Sequence, residues 1–223
     1  MKSSISGSSG FAGKLSLKNI LLLCGILASL LYGTMVMVIH FEGYHFTSQS
    51  VSELSAIGAP TRDLWIILGI IYQLLMIAFA IGVWLSGGHK WTLRVVACLV
   101  FLNYGVASFI WPFASMHQRE AIAAGGQSTA EIFHKIMVVV TVLCNLLAIG
   151  FGASASGKRF RIYSIITLII MLVLGALTGP AAAPRIEANL PTPLFGIWER
   201  IIILGFLTWI AVLAIILIRT EKK

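Results

Sequence analysis

Leu64-Trp-Ile-Ile-Leu-Gly-Ile-Ile-Tyr-Gln-Leu-Leu-Met-Ile-Ala-Phe-Ala-Ile-Gly-Val-Trp-Leu85 is the stretch that decides the fold. It carries no charged side chain, and Gln73 is its one amide. A helix rises ~1.5 Å per residue, so about 20 apolar residues cross the ~30 Å hydrocarbon layer of a bilayer. Arg62 and Asp63 bound the run on one side, and His89 and Lys90 follow it on the other. It reads as a transmembrane helix.

Working outward, five more runs have the same character: residues 19–40, 91–111, 131–153, 162–178 and 193–218. The chain is 58% hydrophobic and 11% charged, with a mean hydropathy of +0.95. A water-soluble domain carries about 25% charged residues, so most of this surface does not face water. The expected fold class is an all-α integral membrane protein, a bundle of six transmembrane helices. Residues 1–18 are expected to form a flexible cytoplasmic tail, residues 19–218 the membrane domain, and residues 219–223 a second cytoplasmic tail. The first run exceeds the ~7–15 residues of a signal-peptide core and no small-x-small cleavage site follows it, so it reads as a retained span. Gly179-Pro180 is expected to end or kink the fifth span.

Charge placement orients the bundle. Lys2, Lys14, Lys18, His89, Lys90, Arg94, Lys158, Arg159, Arg161, Arg219, Lys222 and Lys223 fall on the side of the termini. Only Arg62, Arg119, Lys135, Arg185 and Arg200 fall on the other. The positive-inside rule therefore predicts an inner-membrane, multi-pass protein with both termini cytoplasmic. The net charge of +8 is mostly this signal, with some attraction to anionic lipid, and does not argue for nucleic acid. Cys24, Cys98 and Cys144 lie in apolar runs and form no metal or disulfide spacing.

Seven of the eight acids, and four of the five histidines, fall on the outer side, in three loops longer than the inner turns. In the first outer loop, Ser50 and Glu53 have capping-box spacing and Gly58 terminates, predicting a short helix over residues 51–57. Thr61 and Asp63 are placed to cap the second span. The second outer loop begins where Pro112 breaks the third span and runs through Trp111–Lys135. Here His117 faces Glu120 three residues on, and Glu131 precedes His134 by three. Ser128 and Glu131 again make a capping box, so Glu131 is explained as a helix start. His117, Glu120 and His134 have no such local role. In the third loop, Thr192-Pro193 suits an N-cap and first turn. Glu199 then lies too deep for capping, with Arg200 beside it. An acid and a base below a membrane surface need partners on other helices or a polar cavity. Gln73, Asn103 and Asn145 fall near mid-membrane, where amides join helices, and Gly150, Gly152, Gly175 and Gly179 suit close helix approach.

These residues carry a family resemblance. Ser50-Val-Ser-Glu-Leu-Ser-Ala-x-Gly-Ala-Pro, Trp111-Pro, Met116-His-x-Arg-Glu120, His134, Phe160-Arg-Ile-Tyr-Ser164 and Pro193-x-x-Gly-Ile-x-Glu-Arg200 resemble the bacterial and archaeal membrane family catalogued as domain of unknown function 998. The resemblance runs from about the first span to the sixth and implies a polytopic inner-membrane protein. It brings no established activity.

Two functional expectations follow. The first is an outward-facing His/Glu/Arg site binding a metal, a lipid head group or a small molecule, as in a membrane-embedded hydrolase or transferase. His117, Glu120, His134 and Glu199 are the acid–base or ligand candidates, and His117, Glu120 and His134 are the candidate ligands of a divalent metal such as zinc. Glu53, Arg119, Arg200 and Trp111 are the candidate substrate-binding side chains. The second is a transporter or a non-catalytic ligand-binding or accessory protein, with Glu199, Arg200 and the mid-membrane amides as a polar path. No His-Glu-x-x-His, Gly-x-Ser-x-Gly, phosphate loop or dinucleotide fingerprint is present.

Overall fold

A computed structural model describes residues 16–126, 128–188 and 190–220. Most of the predicted tail before the first span, and residues 221–223, lie outside the described residues. Seven α-helices follow in order: α1 (Leu17–Val38), α2 (Arg62–Ser86), α3 (Trp91–Phe101), α4 (Arg119–Ala123), α5 (Thr129–Gly152), α6 (Lys158–Glu187) and α7 (Phe195–Thr220). A 3₁₀ turn, Val51–Ser55, sits between α1 and α2. The third span continues past α3 as a π segment (Leu102–Val106) and a 3₁₀ segment (Ala107–Phe113). Six of these helical runs are long and apolar enough to cross a membrane. The protein is an all-helical, multi-pass membrane protein, as its sequence predicts.

The spans close into a ring. α1 packs on α2 and α7, α2 on α3, α3 on α5, α5 on α6 and α6 on α7. The inward faces bury Phe79, Trp209, Leu213, Met76 and Ile149. The outward faces leave Ile67, Leu74, Val139 and Ile169 exposed, as lipid requires. Two glycines permit the closest approaches. A Cβ on Gly25 would overlap the Phe79 ring, and one on Gly152 would lie 2.5 Å from Trp209. Trp209 is fixed there by a 2.9 Å bond from its Nε1–H to Ser164 Oγ. Gly175 and Gly179, by contrast, have open space where a Cβ would stand, so they are not contact glycines.

Amides do join helices at mid-span. Asn103 Nδ2 donates to Asn145 Oδ1 at 3.3 Å, Tyr104 OH donates to the same oxygen at 3.4 Å, and Thr141 Oγ1 donates to Asn103 Oδ1 at 3.1 Å. Asn103 and Tyr104 both lie in the π segment, whose wider turn accompanies their joint approach to Asn145.

Three local expectations need correction. Of the two outcomes expected at Gly179-Pro180, an end to the fifth span is overturned: α6 runs on to Glu187. Proline removes one hydrogen bond, a loss that transmembrane helices accommodate locally. Thr61 precedes α2 without a capping bond, because its hydroxyl donates to Leu54 O at 2.6 Å. Thr192 does not cap α7 either. Its hydroxyl turns to Ser48 O at 2.5 Å, and the helix begins only after Leu194, which sits at φ 63°.

Candidate functional site

The three longer connections meet at one end of the ring. The first is organised by Glu53. Its capping box with Ser50 forms as predicted, and the 3₁₀ turn it starts ends at Ser55, two residues short of the expected helix. Glu53 is fully buried, yet both oxygens are satisfied. Oε1 accepts from Ser50 N (2.9 Å) and Ser50 Oγ (3.1 Å), and Oε2 from Gln49 Nε2 (2.8 Å). Arg119 completes the set from the second connection, with Nε to Oε2 and Nη2 to Oε1, each 2.8 Å. The carboxylate holds the guanidinium charged more firmly than usual. Both are candidate substrate-binding residues from sequence, and each is taken up by the other. Thr192 joins the third connection to the same point through Ser48 O.

Arg200 is the second anchor. Its side chain is buried, with Nε donating to Val36 O (2.9 Å), Nη1 to Phe46 O and Gly196 O (3.0 Å each), and Nη2 to Tyr44 OH (2.8 Å). The guanidinium also stands 3.8 Å above the Phe46 ring. Val36 O belongs to the last turn of α1, where free carbonyls attract a cation. Tyr44 passes the contact on to the carbonyls of Gln49 and Ser50. Burial pushes its phenol up to about 12. Beside Arg200, Glu199 points elsewhere: its Oε2 accepts from Val51 N at 2.6 Å, capping the 3₁₀ turn from another helix. Sequence spacing predicts that this acid and base need partners on other elements, and the structure supplies separate ones.

The histidines form a second centre. His117 Nδ1 lies 2.5 Å from Glu131 Oε1, which also accepts from the His117 backbone N–H at 2.9 Å. The other oxygen of Glu131 accepts from Ser128, both N (2.6 Å) and Oγ (2.8 Å), the predicted capping box. His117 therefore pairs with Glu131 rather than with Glu120, which stands exposed on α4. His134 Nδ1 donates to Ala114 O at 2.8 Å, and its ring meets Trp111 edge-to-face at 5.3 Å. The two centres touch through Ile57 N to Met116 O (2.7 Å) and Gln118 Nε2 to Glu53 O (3.3 Å).

Glu53, Arg119, Glu199 and Arg200 thus share one cluster, while His117, Glu131, His134 and Trp111 share its neighbour; Glu120 joins neither. Among the described residues no group of three His, Cys, Asp or Glu side chains is placed to hold a metal ion. Sequence spacing accounts for Glu131 mainly as a helix cap and does not reveal its hold on His117. A buried Glu-x-x-His turn facing a second histidine was the signal available.

No curated protein and no solved structure matches this chain. One family match does, and it covers residues 23–216, from inside α1 to the last turns of α7, so that the chain belongs to the family described as "Protein of unknown function (DUF998)".

Proposed function

We propose that the protein works at its loop-rich end, on the outer side of an inner membrane, as a hydrolase or transferase whose general base is His117. The charge distribution favours that orientation, with both termini cytoplasmic. The observation that carries the reading is the His117–Glu131 pair. A buried carboxylate, 5% exposed, holds Nδ1 of an imidazole that is 28% exposed. An oxygen acceptor at Nδ1 places the ring proton there and leaves the Nε2 lone pair outward. This is the arrangement that orients a histidine to take a proton from water or from a substrate hydroxyl. The position at the membrane edge suits a lipid head group or a small molecule arriving from outside.

The base removes a proton as the nucleophilic oxygen attacks, and returns it to the leaving group. Turnover of a panel of ester and phosphoester lipids by the purified protein in nanodiscs tests this. His117→Ala is expected to lower the rate by about 10²–10⁴-fold. No turnover in the wild type, or equal turnover in the variant, overturns the reading. The zinc version would use His117, Glu120 and His134, and requires Glu120 to turn in from its exposed position on α4. Anchoring of both imidazoles at Nδ1 by oxygen acceptors is the orientation that metal-bound histidines share. Metal analysis tests it: unchanged metal content in His134→Ala counts against it.

A further inference from the structure

At the end of the bundle opposite the His117 centre, the α2–α3 connection (residues 87–90) and the α5–α6 connection (residues 153–157) are tied together. Lys90 Nζ donates to Ala155 O at 3.0 Å, and Ser154 Oγ donates to Thr92 Oγ1 at 2.9 Å. The Trp91 ring meets Phe151 edge-to-face at 5.7 Å. Just beyond Ala155, α6 starts with Lys158-Arg-Phe-Arg161. Phe160 is buried and stacks on Trp209 with centroids 6.0 Å apart, which fixes this turn. Lys158, Arg159 and Arg161 are exposed, and none makes an ion pair or a side-chain hydrogen bond among the described residues. Neither connection holds an Asp or Glu, and neither do α3 and the first turns of α6.

An apolar groove adjoins these charges. α5 and α6 are the most loosely packed neighbours in the ring, and a groove of about 500 Å³ runs between them. Leu143, Leu147, Gly150 and Phe151 line it from α5, and Leu168 and Leu172 from α6. Leu143, Leu147 and Leu172 are exposed on the outside of the ring, so the groove opens to lipid. Phe151 belongs to both features: it lines the groove and packs against Trp91, the residue after Lys90. Arg161 stands two turns before Leu168 on the same face of α6, about 10 Å along the helix.

The geometry points to a binding site for an anionic phospholipid, with an acyl chain in the α5–α6 groove and its phosphate at Lys90, Lys158, Arg159 and Arg161. An apolar groove stays dry, and its walls lose dispersion contacts unless hydrocarbon fills it. Long basic side chains lie along apolar surface and carry their charges to the head-group level, where arginine pairs with phosphate through paired donors. Trp91, 63% exposed, marks the same level. A free anion would leave the groove unfilled. Two copies of this chain in one membrane share an orientation, so pairing along the groove would set two basic ends side by side with no carboxylate between them.

Thermal unfolding of the purified protein in detergent, titrated with phosphatidylglycerol or with phosphatidylcholine of the same chains, tests the site. Phosphatidylglycerol is expected to stabilise saturably and at the lower concentration. Arg159→Gln with Arg161→Gln should weaken its apparent affinity about fivefold for each charge removed. Gly150→Leu fills the groove and touches no charge, so it should weaken both lipids. A Cβ there would stand 3.8 Å from Leu168, an ordinary contact. Leu147→Trp fills the same groove and decides the matter if Gly150→Leu does not fold. Lys135→Gln removes a charge at the other end and should leave the affinity unchanged. An equal response to the two lipids, or an equal loss in Lys135→Gln, overturns the head-group assignment. Wild-type phosphatidylglycerol affinity in the groove-filling variants means diffuse attraction to a charged surface and overturns the site, as does a lipid-free dimer on native mass spectrometry.

Discussion

Arg119 grips Glu53 through two parallel hydrogen bonds of 2.8 Å across 66 residues of sequence, with side-chain exposures of 12% and 0%. The fork geometry of guanidinium and carboxylate makes this a directed contact rather than a loose ion pair. It ties the second connection to the first. Removing one partner leaves a buried charge alone, which costs about 3–5 kcal/mol. Arg119→Ala is therefore expected to lower the thermal unfolding temperature markedly in detergent. Arg119→Lys should recover only part of the loss, since one ammonium cannot replace the fork. Adding Glu53→Gln to Arg119→Ala should cost less than the sum of the single changes. Strict additivity would show that the two residues are not coupled.

Arg200 makes the corresponding tie between α7, the end of α1 and the first connection. Close approach there depends on Gly196. A Cβ at that position would overlap the backbone oxygens of Phe46 and Gln49, neither of which can swing aside. Gly196 N also donates to Thr47 O at 3.1 Å. Gly196→Ala should thus destabilise by about 2 kcal/mol or more, as overpacking against rigid atoms does. Arg200→Lys should be comparably harmful, because a single ammonium cannot serve acceptors on three segments. If Gly196→Ala unfolds like the wild type, the first connection does not rest against α7.

What the sequence revealed and what it hid divide by distance along the chain. The six spans are legible because each is a continuous apolar run, and a bilayer demands little else. The capping boxes of Ser50 with Glu53 and of Ser128 with Glu131 are legible because they close over three residues. Glu53 with Arg119 and Arg200 with Val36 lie 66 and 164 residues apart, and no local pattern announces them. His117 illustrates the same limit over 14 residues: spacing pointed to Glu120, but the chain turns at Met116 to pair with Ile57, which swings the imidazole to Glu131. Local rules also misled where tertiary bonds competed. The hydroxyls of Thr61 and Thr192 reach Leu54 and Ser48 instead of capping their own helices.

The glycines offer a paired test within the spans. A Cβ added to Gly152 would run into Trp209 and stand 3.4 Å from Val96, both in the packed interior. Gly175 faces open space. Gly152→Ala should force the α5 backbone away from Trp209 and destabilise by about 1–3 kcal/mol. Gly175→Ala should be neutral or stabilising by up to about 1 kcal/mol, because alanine favours the helix. Unfolding temperatures of the two variants side by side check this, and reversal of their order would contradict the close approach of Gly152 to Trp209.

Tyr44 gives the fold an alkaline limit. Its phenol titrates near 10 when free and at about 12 in the folded protein, where burial is the largest influence and the Arg200 bond opposes it. The folded value is the raised one, so the stabilisation is complete below pH 10. As pH climbs from 10 to 12 the unfolded chain loses the proton first, and stability falls across that window. Ionised Tyr44 can no longer donate to the carbonyls of Gln49 and Ser50, so the first connection loses its tie. Tyr44→Phe should be less stable than the wild type at neutral pH, through loss of the acceptor for Arg200. Between pH 10 and 12 its stability should then decline less steeply than the wild type's. Unfolding temperatures measured at pH steps across this range check both parts, and parallel declines would show that Tyr44 does not set the limit.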